Sequence, residues 1–270
     1  MSELKREKYS LATGEDAEYR LKIVNSVHGA DTEAFLLRAG MKPGLRVADI
    51  GCGTGVVSCW LAKLAGVGGH VVGVDISEAQ IQSARKYALE FGLTNISFQS
   101  TGCYETGLSS DSCDLVFSRF MLMHVQEPMR AILEMKRILK PGGVLAIEDG
   151  DFNSIYAEPP SAAYKRMFEL YRLIGMAHGE DFLIGRKLYR MALEAGFHSV
   201  SARLAQPAFT EGDAKRLPEW TLAEAAPELL KAGLTNQAEI DALICTLASE
   251  AADPTTLFAM ARMTQVIGIK

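Results

Sequence analysis

Short apolar runs alternate along this chain with stretches whose apolar residues recur every three or four positions, the pattern of buried strands interleaved with amphipathic helices. Strands are predicted at Leu45 to Ile50, His70 to Asp75, Asn95 to Ser100, Asp114 to Ser118, Val144 to Glu148, Val200 to Pro207 and Thr256 to Ile269. Helices are predicted from Asp16 to Val27, Asp31 to Ala39 and Val56 to Leu64, and then after Ser77 on the stripe Ile81, Ala84, Ala88 and Phe91. Ser77 is a natural N-cap for the last of these. Pro128 opens a helix bearing Ile132, Met135 and Ile138, and others cover Ser161 to Ala177, Ile184 to Ala195 and Gln237 to Glu250. Pro218 and Pro227 are expected to break a helical stretch from Ala214 to Ala232, because an interior proline removes a backbone donor.

Strands alternating with helices imply an α/β protein, a Rossmann-like doubly wound sheet of seven mostly parallel strands, here with helical caps. The chain reads as one domain: residues 1–40 a helical leader, 41–150 a cofactor-binding core, and 151–182 and 208–256 helical cap insertions.

The first strand runs directly into Gly51, Gly53 and Gly55 before a helix begins. Such a turn lets a ligand approach the backbone, and the helix start offers unpaired N–H groups. A dinucleotide fingerprint would place its third glycine where Val56 stands. Asp49, two residues before the first glycine, would repel a pyrophosphate but could accept a hydrogen bond from an ammonium group. Asp75 ends the second strand, about 20 residues beyond the glycines, the spacing at which a carboxylate receives two ribose hydroxyls. Together these favour a nucleoside that carries an amino acid.

The run Asp49 to Gly55, with Gly73 to Ser77 after it, resembles the class I S-adenosylmethionine-dependent methyltransferases. The helix ending Lys140-Pro-Gly-Gly143 is similar to theirs too, and the likeness covers roughly Arg46 to Gly150, nearest to the ubiquinone-biosynthesis-like and natural-product small-molecule branch. The resemblance implies that Asp49, Gly51, Gly53, Asp75, Ile76, Gln80 and Ser118 hold S-adenosylmethionine, with S-adenosylhomocysteine as product. The leader would cover the cofactor through Tyr9, with Arg20, or less favourably Arg38, supplying a cation for its carboxylate. Where many related enzymes carry an acid for the adenine, this chain has Gly102, so Cys103, Tyr104 or Glu105 would replace that contact.

Methyl transfer needs a base only if the acceptor must lose a proton, and the candidates are His124, Glu148 and Asp149. His124 also reads as a structural residue of its loop, and the acids as a solvated turn. The aromatic stripe Tyr164, Phe168 and Tyr171 is either core or the lining of a substrate pocket.

Composition narrows the acceptor. A net charge of −5 argues against nucleic acid or an anionic membrane as partner and for a small organic acceptor, aromatic or heteroaromatic, methylated at carbon, nitrogen or oxygen. No apolar run is long enough to span a bilayer and the polar start is not a secretion signal, so a cytoplasmic monomer or homodimer is expected. Five cysteines, Cys52, Cys59, Cys103, Cys113 and Cys245, show no zinc-ligand spacing and no evident convergence for an arsenite methyltransferase; no metal is expected. A nicotinamide-dependent oxidoreductase and a non-catalytic S-adenosylmethionine-binding protein are the remaining alternatives.

Overall fold

The computed structural model describes residues 15–270, with side chains from Lys22 onward. A long helix α1 (Glu15–Arg38) leads into β1 (Arg46–Ile50), α2 (Val56–Ala65), β2 (His70–Asp75), α3 (Glu78–Glu90), β3 (Ile96–Ser100) and β4 (Cys113–Arg119). There follow α4 (Pro128–Ile138), β5 (Leu139–Asp151), β6 (Tyr156–Glu158), α5 (Ala162–His178), α6 (Leu188–Glu194) and β7 (His198–Ala205). The chain continues through β8 (Ala208–Phe209), α7 (Leu217–Lys231), α8 (Gln237–Ala252), β9 (Leu257–Ala259) and β10 (Arg262–Ile269).

The main sheet has seven strands in the order β3-β2-β1-β4-β5-β10-β7. β1 to β5 pair in parallel, and β10 runs antiparallel to both β5 and β7. Alternate residues of each strand serve opposite faces. Val47, Leu115 and Phe117 pack with Phe35 and Leu36 of α1 and Leu61 and Ala62 of α2 on one side. Ala48, Ile50 and Val116 pack with Ile132 and Met135 of α4 on the other. The doubly wound architecture expected from the sequence is therefore the one observed.

Three local expectations are corrected. The two leader helices are one, α1, running through Gly29; an interior glycine costs only about 1 kcal/mol, and the burial of Phe35 and Leu36 outweighs it. Pro218 and Pro227 do not break α7. Pro218 lies in its first turn, where a missing N–H matters least, and the interior Pro227 is tolerated in a helix that fully buries Leu222 and Leu229. Burying two leucines is worth roughly 3–6 kcal/mol, against about 3 kcal/mol for the proline.

The stretch Thr256 to Ile269 is two strands, β9 and β10, with Met260 and Ala261 between them. β9 pairs with β6 and β8 in a small antiparallel sheet, so the inserted segments are not purely helical. Strands of two or three residues are too short to show a period. Among the described residues no helix is long and apolar enough to cross a membrane.

Candidate active site

β1 and β4 are neighbours, yet the chain proceeds from β1 toward β2 and β3 and from β4 toward β5, on opposite sides. Crevices for ligands form at such a reversal, outside the carboxyl ends of the strands. A cavity of about 230 Å³ opens there.

The glycine loop forms one wall. Gly51, at φ 78°, donates its N–H to the Val74 carbonyl at 2.7 Å, and a Cβ on it would stand 2.5 Å from Met121 Cγ. Gly53, at φ 53°, would carry a Cβ with nothing within 4 Å, so its backbone faces open space. Its N–H donates to Asp75 Oδ2 at 2.9 Å while Ser77 N–H donates to Oδ1 at 2.9 Å, which fixes the Asp75 carboxylate at the cavity wall. Burial raises the Asp75 pKa, opposed by those N–H groups.

Asp49 is buried on the same wall and accepts the Ser58 hydroxyl at 2.5 Å. Burial pushes its pKa up, Ser58 and Arg119 push it down, and burial wins at about 6. The carboxylate is therefore costly without a further partner, and a ligand cation beside it would relieve that cost. Gln80 is 7% exposed and lines the cavity, and its Oε1 has no hydrogen-bond partner among the described residues. Buried polar atoms rarely lack one, so the carbonyl is poised for a ligand donor.

Arg119, at the end of β4, lines the cavity as well. It donates to the Thr32 hydroxyl at 2.9 Å and to Asn25 Oδ1 at 3.0 Å, both on α1. Burial lowers its pKa, with Glu148 and Asp49 opposing. His28 of α1 is pushed down to about 3 by burial and by Arg119, so it stands neutral in the cavity wall. The Phe120 ring meets it edge-on at 5.0 Å, and Phe120 adopts φ 52°, a strained conformation for a bulky residue.

The far end of the cavity is apolar: Met123, Phe152, Phe168, Tyr171, Leu217 and Met260 come from the strand tips and caps. His124 closes a 3-10 turn, Leu122–His124, and lines this cavity and a smaller adjoining one of about 30 Å³. Ile76, Thr101, Cys103, Met121 and Val125 line the smaller cavity together with Gly51 and Asp75. The imidazole Nδ1 of His124 lies 2.8 Å from Glu180 Oε1.

The structure thus gathers Asp49, Gly51, Gly53, Asp75, Ile76, Gln80, Cys103 and His124 around two joined cavities. Other candidates from the sequence line neither. Glu148 accepts the Thr32 hydroxyl and the Gln265 amide, and burial raises its pKa, so it anchors α1 and β10. Asp149 accepts the N–H groups of Met123 and Gly150, and burial lifts its pKa to about 7; it supports the 3-10 turn from below. Ser118 donates to the Ile50 carbonyl. Gly102 stands outside both linings, and Tyr104 accepts the Glu127 N–H beneath the Arg130 guanidinium. Arg38 is committed to Gln265 Oε1 at 2.8 Å. Tyr9 and the Arg20 side chain lie outside the described residues.

Arg119, His28, Asn25 and Glu180 were not singled out by the sequence. Arg119 had a legible signal, being the first polar residue beyond a strand whose tip faces the cofactor; the others depend on how α1 and α5 fold back. Among the described residues no group of three or more histidine, cysteine, aspartate or glutamate side chains could hold a metal ion.

A nucleoside bearing an amino acid fits this wall: an acid short of a cation, a buried guanidinium nearby, a second carboxylate, an orphaned amide oxygen and bare glycine backbone. Sheet order, glycine loop and paired acids define a nucleoside-binding α/β protein. The profile of the family described as "Methyltransferase domain" matches residues 41–196, and the chain belongs to that family.

A ubiquinone biosynthesis O-methyltransferase of Hahella chejuensis is 34% identical over 147 residues, 54% of this chain and 58% of that protein. A demethylmenaquinone methyltransferase of Listeria monocytogenes is 31% identical over 156 residues, 57% and 63% of the two chains. The matches span 56% to 64% of the length of such curated relatives. Among solved structures, a SAM-dependent methyltransferase from Aquifex aeolicus superposes with a TM-score of 0.52 at 24% identity, covering 66% of this chain and 84% of that one.

Proposed function

We propose that this protein is an S-adenosylmethionine-dependent methyltransferase acting on a small, uncharged ring compound of the quinone or phenol kind. One observation carries the reading: a single cavity joins the nucleoside wall at Asp49, Asp75 and Gln80 to an apolar end built by Phe152, Phe168, Tyr171, Leu217 and Met260. The quinone methyltransferases among the relatives support the acceptor class.

When bound, S-adenosylmethionine supplies a methyl group already activated by a positively charged sulfur. The work left to this chain is to bind, align and exclude water. Asp49 would take the ammonium, Arg119 the carboxylate, Asp75 the ribose hydroxyls and Gln80 Oε1 one further donor, while Ile76 and Cys103, which line the smaller cavity, would be available to the adenine. The aromatic end would hold a flat ring and keep water out. Helix α1 contributes Val24, Asn25 and His28 to the same cavity lining, and α7 contributes Leu217, Pro218 and Thr221. A cytoplasmic monomer or homodimer with no nucleic-acid or membrane partner fits the net charge of −5.

Calorimetry with S-adenosylmethionine, then turnover on a panel of quinols, phenols and indoles read by mass spectrometry, tests this. The expected result is uptake that Asp75→Ala weakens at least tenfold, and methylation of at least one hydroxylated ring. Uptake of a nicotinamide cofactor instead would overturn the reading.

A further inference from the structure

One face of α1 converges on the guanidinium of Arg119. Asn25, His28 and Thr32 follow one another at intervals of three and four residues, which places them on the same side of the helix. Arg119 donates to Asn25 Oδ1 at 3.0 Å and to the Thr32 hydroxyl at 2.9 Å, and both partners are uncharged. Glu148, whose charge opposes the effect of burial on this cation, is linked to it through Thr32. Among the described residues Arg119 therefore has no carboxylate in direct contact. A desolvated cation without a counter-ion favours an anionic ligand, and the open side of Arg119 is the cavity.

His28 adds a second unmet group to the same corner. Phe120, the residue after Arg119, takes φ 52° and sets its ring edge-on against the imidazole at 5.0 Å. The histidine is 5% exposed and stands in the lining of the larger cavity, not of the smaller one. Neither of its ring nitrogens has a hydrogen-bond partner among the described residues. Gln80 Oε1 is the one side-chain polar atom among those residues that is both unpartnered and sealed from open space, so the His28 nitrogens open onto the cavity that the ring lines. Buried polar groups rarely go without a partner, and here the protein supplies none.

Burial beside Arg119 keeps the imidazole uncharged. A neutral ring carries one N–H donor and brings no second positive charge against the guanidinium. Asp49 of β1 lies near enough to Arg119 to support its charge, and both line the cavity, so a place for an anion adjoins a place for a cation. An amino acid carries both groups on one carbon.

We propose that His28 selects the cofactor by its carboxylate: beside Arg119 it donates a ring N–H to the amino-acid tail of the sulfonium nucleoside, so the site rejects the same nucleoside without that group. This rests on the methyl-transfer reading above. Arg119 supplies the charge and His28 the direction, because a donor held by Phe120 and α1 fixes where the carboxylate oxygens lie. No proton changes hands, so His28 is a binding residue and not a base.

The test compares affinities rather than turnover. Calorimetry at pH 7.5 on the full-length protein measures S-adenosylhomocysteine, its decarboxylated analogue, and methylthioadenosine, which lacks the whole tail. Wild-type protein is expected to prefer S-adenosylhomocysteine over the decarboxylated analogue by roughly a hundredfold, since two bonds to a charged group are lost. His28→Phe keeps an aromatic ring against Phe120 and removes both nitrogens. It should cut that preference at least fivefold while binding methylthioadenosine within twofold of wild type, a pattern that a merely structural role would not produce. His28→Gln, which retains an N–H donor, should restore at least half of the loss.

An unchanged preference in folded His28→Phe, or equal losses for all three ligands, overturns the proposal. Should His28→Phe not fold, the wild-type imidazole decides: its N–H proton should appear in a nitrogen-edited spectrum with S-adenosylhomocysteine and not with the decarboxylated analogue, and identical spectra overturn the proposal. Wild-type protein that binds S-adenosylhomocysteine and the analogue equally overturns it too and leaves the methyl-transfer reading standing. Uptake of none of the three nucleosides overturns both.

Discussion

Thr32 on α1 donates its hydroxyl to Glu148 near the end of β5 at 2.5 Å, closing 116 residues of chain with one bond. The same hydroxyl accepts from Arg119 at 2.9 Å, so a buried acid and a buried guanidinium share one small relay. Thr32→Val keeps the shape and leaves both charged groups one partner short. An unmade bond to a buried group costs about 1–3 kcal/mol, so the protein should lose about 2–4 kcal/mol of stability, read by denaturant titration. Cofactor affinity should move less than tenfold. Arg119→Met, in contrast, removes the cavity's buried cation, and calorimetry should show S-adenosylmethionine binding weakened by more than tenfold.

His28 makes the apoprotein acid-sensitive. Its pKa falls from 6.5 to about 3 on folding, so between those values the unfolded chain holds a proton that the native state refuses, and stability rises with pH across that window. Asp49 and Asp149 act in the opposite sense, because their native values of about 6 and about 7 lie above 3.8 and their ionisation erodes stability as pH rises. Removing the His28 contribution in His28→Gln should therefore make the melting temperature fall more steeply with rising pH between pH 4 and pH 6.5 than in the wild type, with the mutant gaining most relative to wild type near pH 4. Thermal scans of both proteins at half-unit pH steps would show it; parallel curves would mean that His28 is hydrated.

The cofactor half of this architecture was legible because its signals are local. The glycine run, the acid at each of two strand ends and the Ser77 cap all lie within a single βαβ unit, and Ser77 does accept the Gln80 N–H as its spacing implies. The acids at the end of β5 misled because an acid at a strand's carboxyl end can point either way. Glu148 faces α1 and β10 and Asp149 sits under a turn, and only the packing of those elements decides it. Glu180 was invisible for a related reason: it lies 56 residues from His124, in a loop with no periodic pattern.

Asp49 sets stability against binding. Its rise from 3.8 to about 6 corresponds to about 3 kcal/mol of native-state cost at neutral pH, from which the weakening of the Ser58 bond, which a neutral amide oxygen still accepts, subtracts about 1 kcal/mol. Asp49→Asn should thus raise the stability of the apoprotein at pH 7 by about 1–2 kcal/mol. The same change removes the charge that an ammonium would meet, so S-adenosylmethionine affinity should drop by at least tenfold in calorimetry. A variant that is both less stable and unimpaired in binding would place the ammonium elsewhere.

Two glycines of one loop separate folding from binding. In Gly51→Ala the new methyl would meet Met121 Cγ at 2.5 Å, at φ 78°, so steric overlap adds to backbone strain, and the melting temperature should fall steeply. In Gly53→Ala the methyl meets nothing within 4 Å and the cost is the φ of 53° alone, about 1–2 kcal/mol. That protein should fold with only a modest loss of stability. Its methyl would nevertheless stand in the open space that the proposed cofactor would occupy against bare backbone, so S-adenosylmethionine uptake should fall by more than tenfold, measured by calorimetry at a temperature where both variants remain folded. Unimpaired uptake by Gly53→Ala would show that the ligand does not approach the loop at that point.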